Sequence, residues 1–402
     1  MVDFSIPPEL DGLRRRVADF VRDEVLPVES DVTEGDFDQI LEGLRKKARD
    51  AGLWTPHLPE EWGGLGVGPL GMALISQECG VSGLASLALN AMAPDEGNMH
   101  LLLHAGTEEQ KERYLRPLAA AEVRSCFAMT EQAAGSDPTL LRARAVEDGD
   151  GWVIDGEKWF ISGANGAAFA IVAAVTDPDA DNRYLRHSLF LVDADNPGWK
   201  VIREIPVMGT EGPGGHCEVS LEHCRVPADA MLGDRGMGLA LAQARLGPAR
   251  LAHAMRWIGV AQRALDLAAR RALEREAFGR RLAEHQAVQW MLADSGTQLY
   301  AARLMVLHAA SKIEAGEDFR QEVAFVKVFV SEALGDIVDR ALQIHGSLGY
   351  SGDLPLERFY RDARAARIYD GPSEVHRMVI ARNLLKAAKA EGTTKGALGG
   401  LA

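Results

Sequence analysis

The apolar residues of this 402-residue chain change their spacing twice, and that switch limits the fold more than any other feature. From Pro8 to Ala121 they recur every three or four positions. Leu10, Leu13, Val17, Phe20 and Val21 form one series, and Phe37, Ile40, Leu41, Leu44 and Ala48 form another. This is the spacing of one face of an α-helix. Pro27 is expected to stop the first helix, and the second should end near Gly52. Thr107 and Gln110 are spaced as a capping box. "EEWGGLGVG" reads as a loop.

From Glu122 to Arg235 the period drops to two. "GWVIDGEKWFISG", "AFAIVAAVT", "HSLFLVDAD" and "HCEVSLEHCRVP" read as strands, punctuated by the turn pairs Asp148-Gly149, Asp150-Gly151 and Asp155-Gly156. No helix fits between these strands, so a doubly wound parallel sheet is not expected. From Gly236 the helical period returns, with long segments over roughly 237–273, 285–315, 319–345 and 372–390. Their mixture of small and bulky residues suits a helix bundle. The expected architecture is multidomain α+β. An N-terminal helical domain (1–121) precedes a central antiparallel β-barrel or sandwich (122–235), a C-terminal four-helix bundle (236–390) and a flexible tail (391–402).

Charge and cysteine content narrow the function. Lys plus Arg number 44 against 58 Asp plus Glu, a net charge of −14, which excludes duplex nucleic acid as the main partner. An anionic small ligand needs only a few local cations and stays open. The four cysteines form no CxxC pair, so a reducing cytoplasm is expected and no disulfide framework. His216, Cys217, His223 and Cys224 alternate as strand residues do, pointing to opposite faces, and no metal site is expected. "MVDFSIPPEL" lacks the apolar core of a signal peptide, and no run of about 18 apolar residues could span a membrane.

Motifs at the seams between these zones resemble one family. "FAMTEQAAGSD" (Phe127 to Asp137), "GEKWFISGA" (Gly156 to Ala164), "REAFGRRLAEHQ" (Arg275 to Gln286), "QIHGSLGY" (Gln343 to Tyr350) and "YDGPSEVHRMVIAR" (Tyr369 to Arg382) are similar, in that order, to the signatures of acyl-CoA dehydrogenases. "PDEGNMHLL", "GPGGHCEV" and "RLGPARLAHAMR" resemble one branch of that family. Its larger eukaryotic members carry a fused phosphotransferase-like domain and have Asp where most of the family has Glu, as at Asp370 here.

The resemblance implies FAD-dependent α,β-dehydrogenation of an acyl-CoA thioester, with a medium or long, branched or hydroxylated acyl chain. Asp370 would take the α-proton and flavin N5 the β-hydride. Phe127, Met129, Thr130, Gly135 and Ser136 would line one side of the flavin, with Phe160, Ile161 and Ser162 on another. Arg275, Phe278, Gln286, Gln343, Gly346 and Ser347 would hold a neighbouring subunit's cofactor, implying a homodimer or homotetramer. Pro372 and Glu374 complete the cofactor set, and Ser136, Arg250 and Gly371 the substrate set. Pro372 at a first helical position would make Asp370 and Gly371 the cap region of the last long helix. Some relatives place the base near "LGPARLAHAMR", but no Asp or Glu lies between Gly236 and Leu265. Glu374, one turn away, is the nearby substitute. An electron-transfer flavoprotein would be the acceptor. The competing readings are a flavin oxidase of the same fold, similar to nitroalkane oxidases, and a non-catalytic flavin-binding protein. DNA-binding relatives need a basic surface that a net −14 does not supply.

Overall fold

The computed structural model describes residues 5–30, 32, 35–209 and 212–398. The chain forms two compact units. One comprises Thr55–Gly66 and Asn90–Ala249, the other Met1–Trp54, Val67–Leu89 and Arg250–Ala402.

The first unit holds the sheet. Its strands are β1 Ser125–Ala128, β2 Arg144–Asp148, β3 Gly151–Ser162, β4 Phe169–Val175, β5 His187–Asp193, β6 Trp199–Glu204, β7 His216–Pro227 and β8 Met231–Leu232. They are ordered β6-β7-β3-β2-β4-β5-β8, with β1 on β4. Pairing is antiparallel except for β1 with β4 and one contact of β2 with β4. Asp148 pairs with Gly151, leaving Gly149 and Asp150 as a two-residue hairpin turn, and Gly149 has φ +65°.

β4 and β5 are buried on both faces, which explains their unbroken apolar runs. Ala170, Val172, Phe190 and Val192 join Trp152, Ile154 and Trp199 in one core. Phe169, Ile171, Leu189 and Leu191 face the other way, against Leu101, Leu102, Leu115 and Leu118. Those four partners come from the helical segment that precedes the sheet. The capping box there forms as expected: Thr107 Oγ1 accepts from the Gln110 N–H at 3.2 Å, and Gln110 Oε1 accepts from the Thr107 N–H at 3.1 Å.

In β7 the strand alternation is interrupted. Leu221 pairs with Gly156 but Cys224 with Ile154, so three steps on β7 face two on β3. His223 at this bulge has φ +49°. The extra residue returns Cys224 to the core that already holds Cys217. His216 Nδ1 meets Ser162 Oγ at 2.9 Å instead. Among the described residues no group of His, Cys, Asp and Glu is arranged to hold a metal.

The second unit is helical. Its first helix, Pro8–Phe20, does not stop at Pro27. It passes through a π-helical turn, Val21–Val25, into Leu26–Glu29. The Leu26 N–H reaches back five residues to Val21 O. The wider turn moves aside the carbonyl that a proline ring would otherwise strike. In the sheet unit the same device, Lys111–Leu115, precedes Pro117.

The long helices are Gly238–Glu274, Gln286–Glu314, Arg320–His345 and Ser373–Glu391, each within a residue or so of its expected start. The first begins in the sheet unit, and residues 250–274 belong to this one. A shorter helix, Leu356–Ala365, was not expected; it buries Leu356, Phe359 and Ala363. Its three anchors are too few to register as a period. Among the described residues no helix is long and apolar enough to cross a membrane. Part of the expected tail, residues 399–402, lies outside the described residues, as do residues 1–4.

Small residues set the spacing of this bundle. Ala254, Ala261, Ala264 and Ala268 face Val306, Ala309, Val323 and Val330 in one core. One tight approach is at Gly259, where a Cβ would lie 2.2 Å from Gln77 O and 2.6 Å from Gly80 Cα. Gly259→Ala should therefore cost about 3 kcal/mol by overpacking. Gly296, inside Gln286–Glu314, has open space around it, and Gly296→Ala should gain up to about 1 kcal/mol from helix propensity. Chemical denaturation of the two variants checks both values, and equal losses would contradict this packing.

Candidate active site

In the sheet unit the two flavin-like motifs are joined by a buried ion pair. Lys158 is wholly buried, its Nζ 2.8 Å from Glu131 Oε1 and 3.1 Å from Met129 O. Burial pushes the ammonium's pKa down, and the Glu131 charge opposes that. Glu131 also accepts from the N–H groups of Arg142 at 2.6 Å and Ala143 at 2.9 Å. The Thr130 carbonyl accepts from the Trp159 N–H at 2.8 Å. A trans peptide points its C=O and the next N–H in opposite directions. With the Met129 carbonyl turned to Lys158, the Thr130 N–H is directed away from the pair. Glu131 and Ala134 exchange both backbone hydrogen bonds, closing a tight turn before Gly135 and Ser136, which are exposed.

Phe160 sits at a second bulge. Lys158 pairs with Val219 and Ile161 with Cys217, so three steps on β3 face two on β7. Phe160 has φ +55°, a strained value for a bulky residue, and its ring is 42% exposed. Trp159 meets it edge-on at 4.7 Å. The Ile161 side chain is buried in the sheet core, so it can offer a cofactor only its backbone.

In the helical unit Asp370 has φ +54° and Gly371 +89°. Pro372, with ψ 158°, is the cap of Ser373–Glu391, and no side chain caps that helix. The expected cap role is therefore not what Asp370 does. The extended Pro372 puts Asp370 two residues outside the helix, and its carboxylate turns to the long helix Gly238–Glu274. Asp370 Oδ2 lies 3.1 Å from His253 Nε2, with both side chains about one-fifth exposed. The Asp370 carbonyl accepts from Arg250 Nε at 2.7 Å and lies 3.3 Å from His376 Nε2. Arg250, expected on substrate, is thus placed against the backbone of Asp370. Glu374 is exposed on the first turn of the last helix.

Around this turn lies a rigid, cation-rich shell. Trp257 Nε1 donates to Tyr369 Oη at 2.9 Å. Buried Lys327 donates to Ala366 O at 2.6 Å, its Nζ 5.3 and 5.4 Å from the Trp257 and Tyr369 ring centres. Burial pushes the Lys327 pKa down to about 8 and that of His376 to about 4, with Arg250 lowering both further and Asp370 opposing. Burial likewise lowers Arg250.

The third group faces outward. Arg275, Gln286, Gln343, Gly346 and Ser347 are exposed. Phe278, at the tip of a two-stranded ribbon with φ +54°, is 97% exposed. A Cβ at Gly346 would meet nothing, whereas one at Gly349 would lie 2.6 Å from Leu342 O. Gly346 is thus open to a ligand, and Gly349 serves packing.

These residues fit FAD. A backbone amide turned away from a satisfied ion pair suits a pyrimidine edge, an exposed Phe160 suits a flavin face, and the exposed Arg275 guanidinium and the open backbone at Gly346 are each groups that suit a pyrophosphate. Sequence reasoning missed His253, Trp257, Lys327 and His376. The signals were present: Arg250, His253 and Trp257 share one helix face, and Lys327 is a lone charge in "VAFVKVFV".

Residues 7–122, 126–224 and 236–385 match, in turn, the N-terminal, middle and C-terminal domains of acyl-CoA dehydrogenase. The chain is 41% identical to a Mycobacterium tuberculosis protein named "Probable acyl-CoA dehydrogenase FadE2", covering 96% of this chain and 98% of that one. It is 39% identical to acyl-CoA dehydrogenase family member 11 of Gallus gallus over 91% of this chain, and spans about half that protein's length (49%). Among solved structures, PigA with FAD and proline superposes with a TM-score of 0.85 at 26% identity, covering 95% of this chain and 99% of that one.

The ion pair generates a stability prediction. Glu131→Gln leaves the Lys158 ammonium buried without a counter-charge, which should cost about 3–5 kcal/mol. Adding Lys158→Met should recover most of that loss. Urea unfolding of the single and double variants measures it, and a single variant as stable as the parent would contradict the pairing.

Proposed function

The chain belongs to the acyl-CoA dehydrogenase family, and on that premise we propose that Asp370 removes the α-proton of an acyl-CoA thioester. The reaction is FAD-dependent α,β-dehydrogenation. FAD, when bound, supplies the acceptor for the β-hydride, a role no side chain can fill. The observation that carries the Asp370 assignment is its placement. It stands in left-handed backbone at a fixed turn, its carboxylate held 3.1 Å from His253 rather than spent on capping the helix.

Asp370 must be ionised to accept a proton, and the neighbouring Arg250 and Lys327 favour that form. A docked acyl chain expels water and raises the carboxylate's proton affinity, while donors at the thioester oxygen acidify the α-carbon. Asp is one methylene shorter than Glu, and the φ +54° turn compensates by bringing the backbone itself forward. Half-buried Phe127, Met129 and Thr130 and exposed Gly135 and Ser136, with Phe160, Ile161 and Ser162, would hold the flavin.

The branch motifs favour medium or long, branched or hydroxylated acyl chains. Electrons would pass on to an electron-transfer flavoprotein. The four cysteines are buried and form no disulfide, which suits a reducing cytoplasm. Arg275, Gln343 and Gly346, all outward-facing, would complete a neighbouring subunit's cofactor site in a homodimer or homotetramer.

Asp370→Asn should bind FAD normally and lose substrate-driven flavin bleaching by about three orders of magnitude or more, near 4 kcal/mol of barrier. Glu374→Gln should stay within a few-fold of the parent. Anaerobic stopped-flow spectroscopy compares the three. A fully active Asp370→Asn would move the base elsewhere, with Glu374 the first place to look. Light scattering of the FAD-loaded protein should give a dimer or tetramer; a flavin-saturated monomer would contradict the shared cofactor site.

A further inference from the structure

We propose that His253 is a positioning residue for the base: a neutral imidazole, protonated on Nε2, that donates a hydrogen bond to Asp370 Oδ2, with Arg256 fixing that tautomer. The inference rests on the assignment of Asp370 above. Nothing in the sequence motifs singles out His253 for this role.

The geometry gives the tautomer. His253 Nε2 is 3.1 Å from Asp370 Oδ2, and His253 Nδ1 is 3.2 Å from Arg256 Nη2. A guanidinium has only donors. Nδ1 must therefore accept, so it carries no proton, and the ring proton is on Nε2, facing the carboxylate. A second proton on the ring would turn an N–H toward the Arg256 cation. The contact between His253 and Asp370 is thus a hydrogen bond from a neutral ring rather than an ion pair.

The ring cannot easily turn away. It stacks on Trp257 at 6.0 Å with a 22° interplanar angle and packs against Tyr369 at 5.0 Å. Trp257 and Tyr369 are themselves hydrogen-bonded to one another. Arg256 is buried, as are both flanking residues Met255 and Trp257.

Two consequences follow for the proton. When the Cα–H bond of the substrate breaks, the new O–H bond forms on Asp370, and the electron pair stays with the substrate. His253 already carries its proton on Nε2 and shows the carboxylate no lone pair. It therefore cannot relay that proton onward, which stays on Asp370. Before the step, the Nε2–H favours the ionised carboxylate over the acid. Losing the donor should raise the pH at which Asp370 becomes competent.

Other charges face the same turn. Arg250 comes from the long helix, Lys327 from Arg320–His345, and His376 from the last helix, while Tyr369 carries Arg256 and Asp362 beside it. Lys327 titrates near 8 and His376 near 4. Between those values Lys327 stays mostly charged and His376 mostly neutral, so a shift read near pH 6 reports chiefly on the Asp370–His253 pair.

The test uses FAD-loaded protein and the acyl-CoA that bleaches it fastest in a thioester ladder. His253→Phe keeps a ring for the stack and removes the donor. Reduction at pH 6 should slow by about 10- to 100-fold, and the pH midpoint should rise by about one unit. His253→Gln offers an N–H at the Nε2 position and should restore both to near the parent. An unchanged midpoint in His253→Phe, or a Gln variant as slow as Phe, would overturn the proposal. Nitrogen-15 histidine spectra of the unsubstituted protein provide a readout without turnover. They should show His253 neutral at pH 7 with its proton on Nε2, and a doubly protonated ring or the opposite tautomer would overturn the proposal whatever the variants do. A fully active Asp370→Asn would instead remove the base assignment on which it rests, an outcome distinct from these.

Discussion

A lysine ammonium buried beneath the sheet unit's surface sets the shape of everything above it. Lys158 can carry charge at zero exposure because Glu131 stands 2.8 Å away and because the Met129 carbonyl accepts a second hydrogen bond from the ammonium. Glu131 in turn spends its remaining capacity on the N–H groups of Arg142 and Ala143. The pair therefore fastens the turn after β1 to β3 and to the chain entering β2 in one knot. It also dictates which backbone groups are left over. The Met129 carbonyl faces inward to the ammonium, and the Thr130 amide turns away from it. The bulge that strains Phe160 begins at Lys158, so the exposed Phe160 stands next to the ion pair in the same strand.

The helical unit solves a different problem, which is to present a carboxylate without neutralising it. An Asp in the first turn of a helix would normally bond the free amides there. Here Pro372 takes the cap position and Asp370 is left outside, in left-handed backbone, with Arg250 holding its carbonyl. His253 then fixes the carboxylate's orientation. Lys327 and His376 are both buried where their charged forms are disfavoured, His376 strongly enough to be neutral at physiological pH. The cations around the turn favour the ionised carboxylate, and the burial that disfavours charge on Lys327 and His376 tempers their contribution.

Much of this was legible in the sequence, and the exceptions have physical causes. The change of apolar period placed the sheet and the four long helices because burial of one face or stripe sets that period. The runs at Phe169–Val175 and His187–Asp193 were readable as strands even though both faces are buried, since their length and turn residues exclude a long helix. Pro27 misled because a π turn, which depends on backbone geometry alone, absorbs it. Cys217 and Cys224 share a core because of a bulge whose position no alternation rule could give. The motif residues themselves were identified by resemblance. Their supporting shell was not: His253, Trp257 and Lys327 meet partners distant in the chain, and His376, although it lies in the last motif, meets the Asp370 backbone carbonyl. Only their company, one aromatic face and one isolated charge, marked them. The relation of sequence to site is thus strongest where the chemistry is local, as at Phe127–Ser136, and weakest where long-range contacts set a protonation state.

The proposed reaction, desaturation of a CoA thioester at its α,β bond with FAD as acceptor, has a readout in the flavin itself. An anaerobic titration of the FAD-loaded protein with a series of acyl-CoA thioesters of increasing length tests it most directly, following the visible flavin absorbance and the enoyl-CoA formed. At least one acyl chain should bleach the flavin, with one enoyl-CoA per flavin reduced, and the reduced protein should reoxidise slowly in air. A flavin that no thioester bleaches, or one that reoxidises in air as fast as it is reduced, would contradict it.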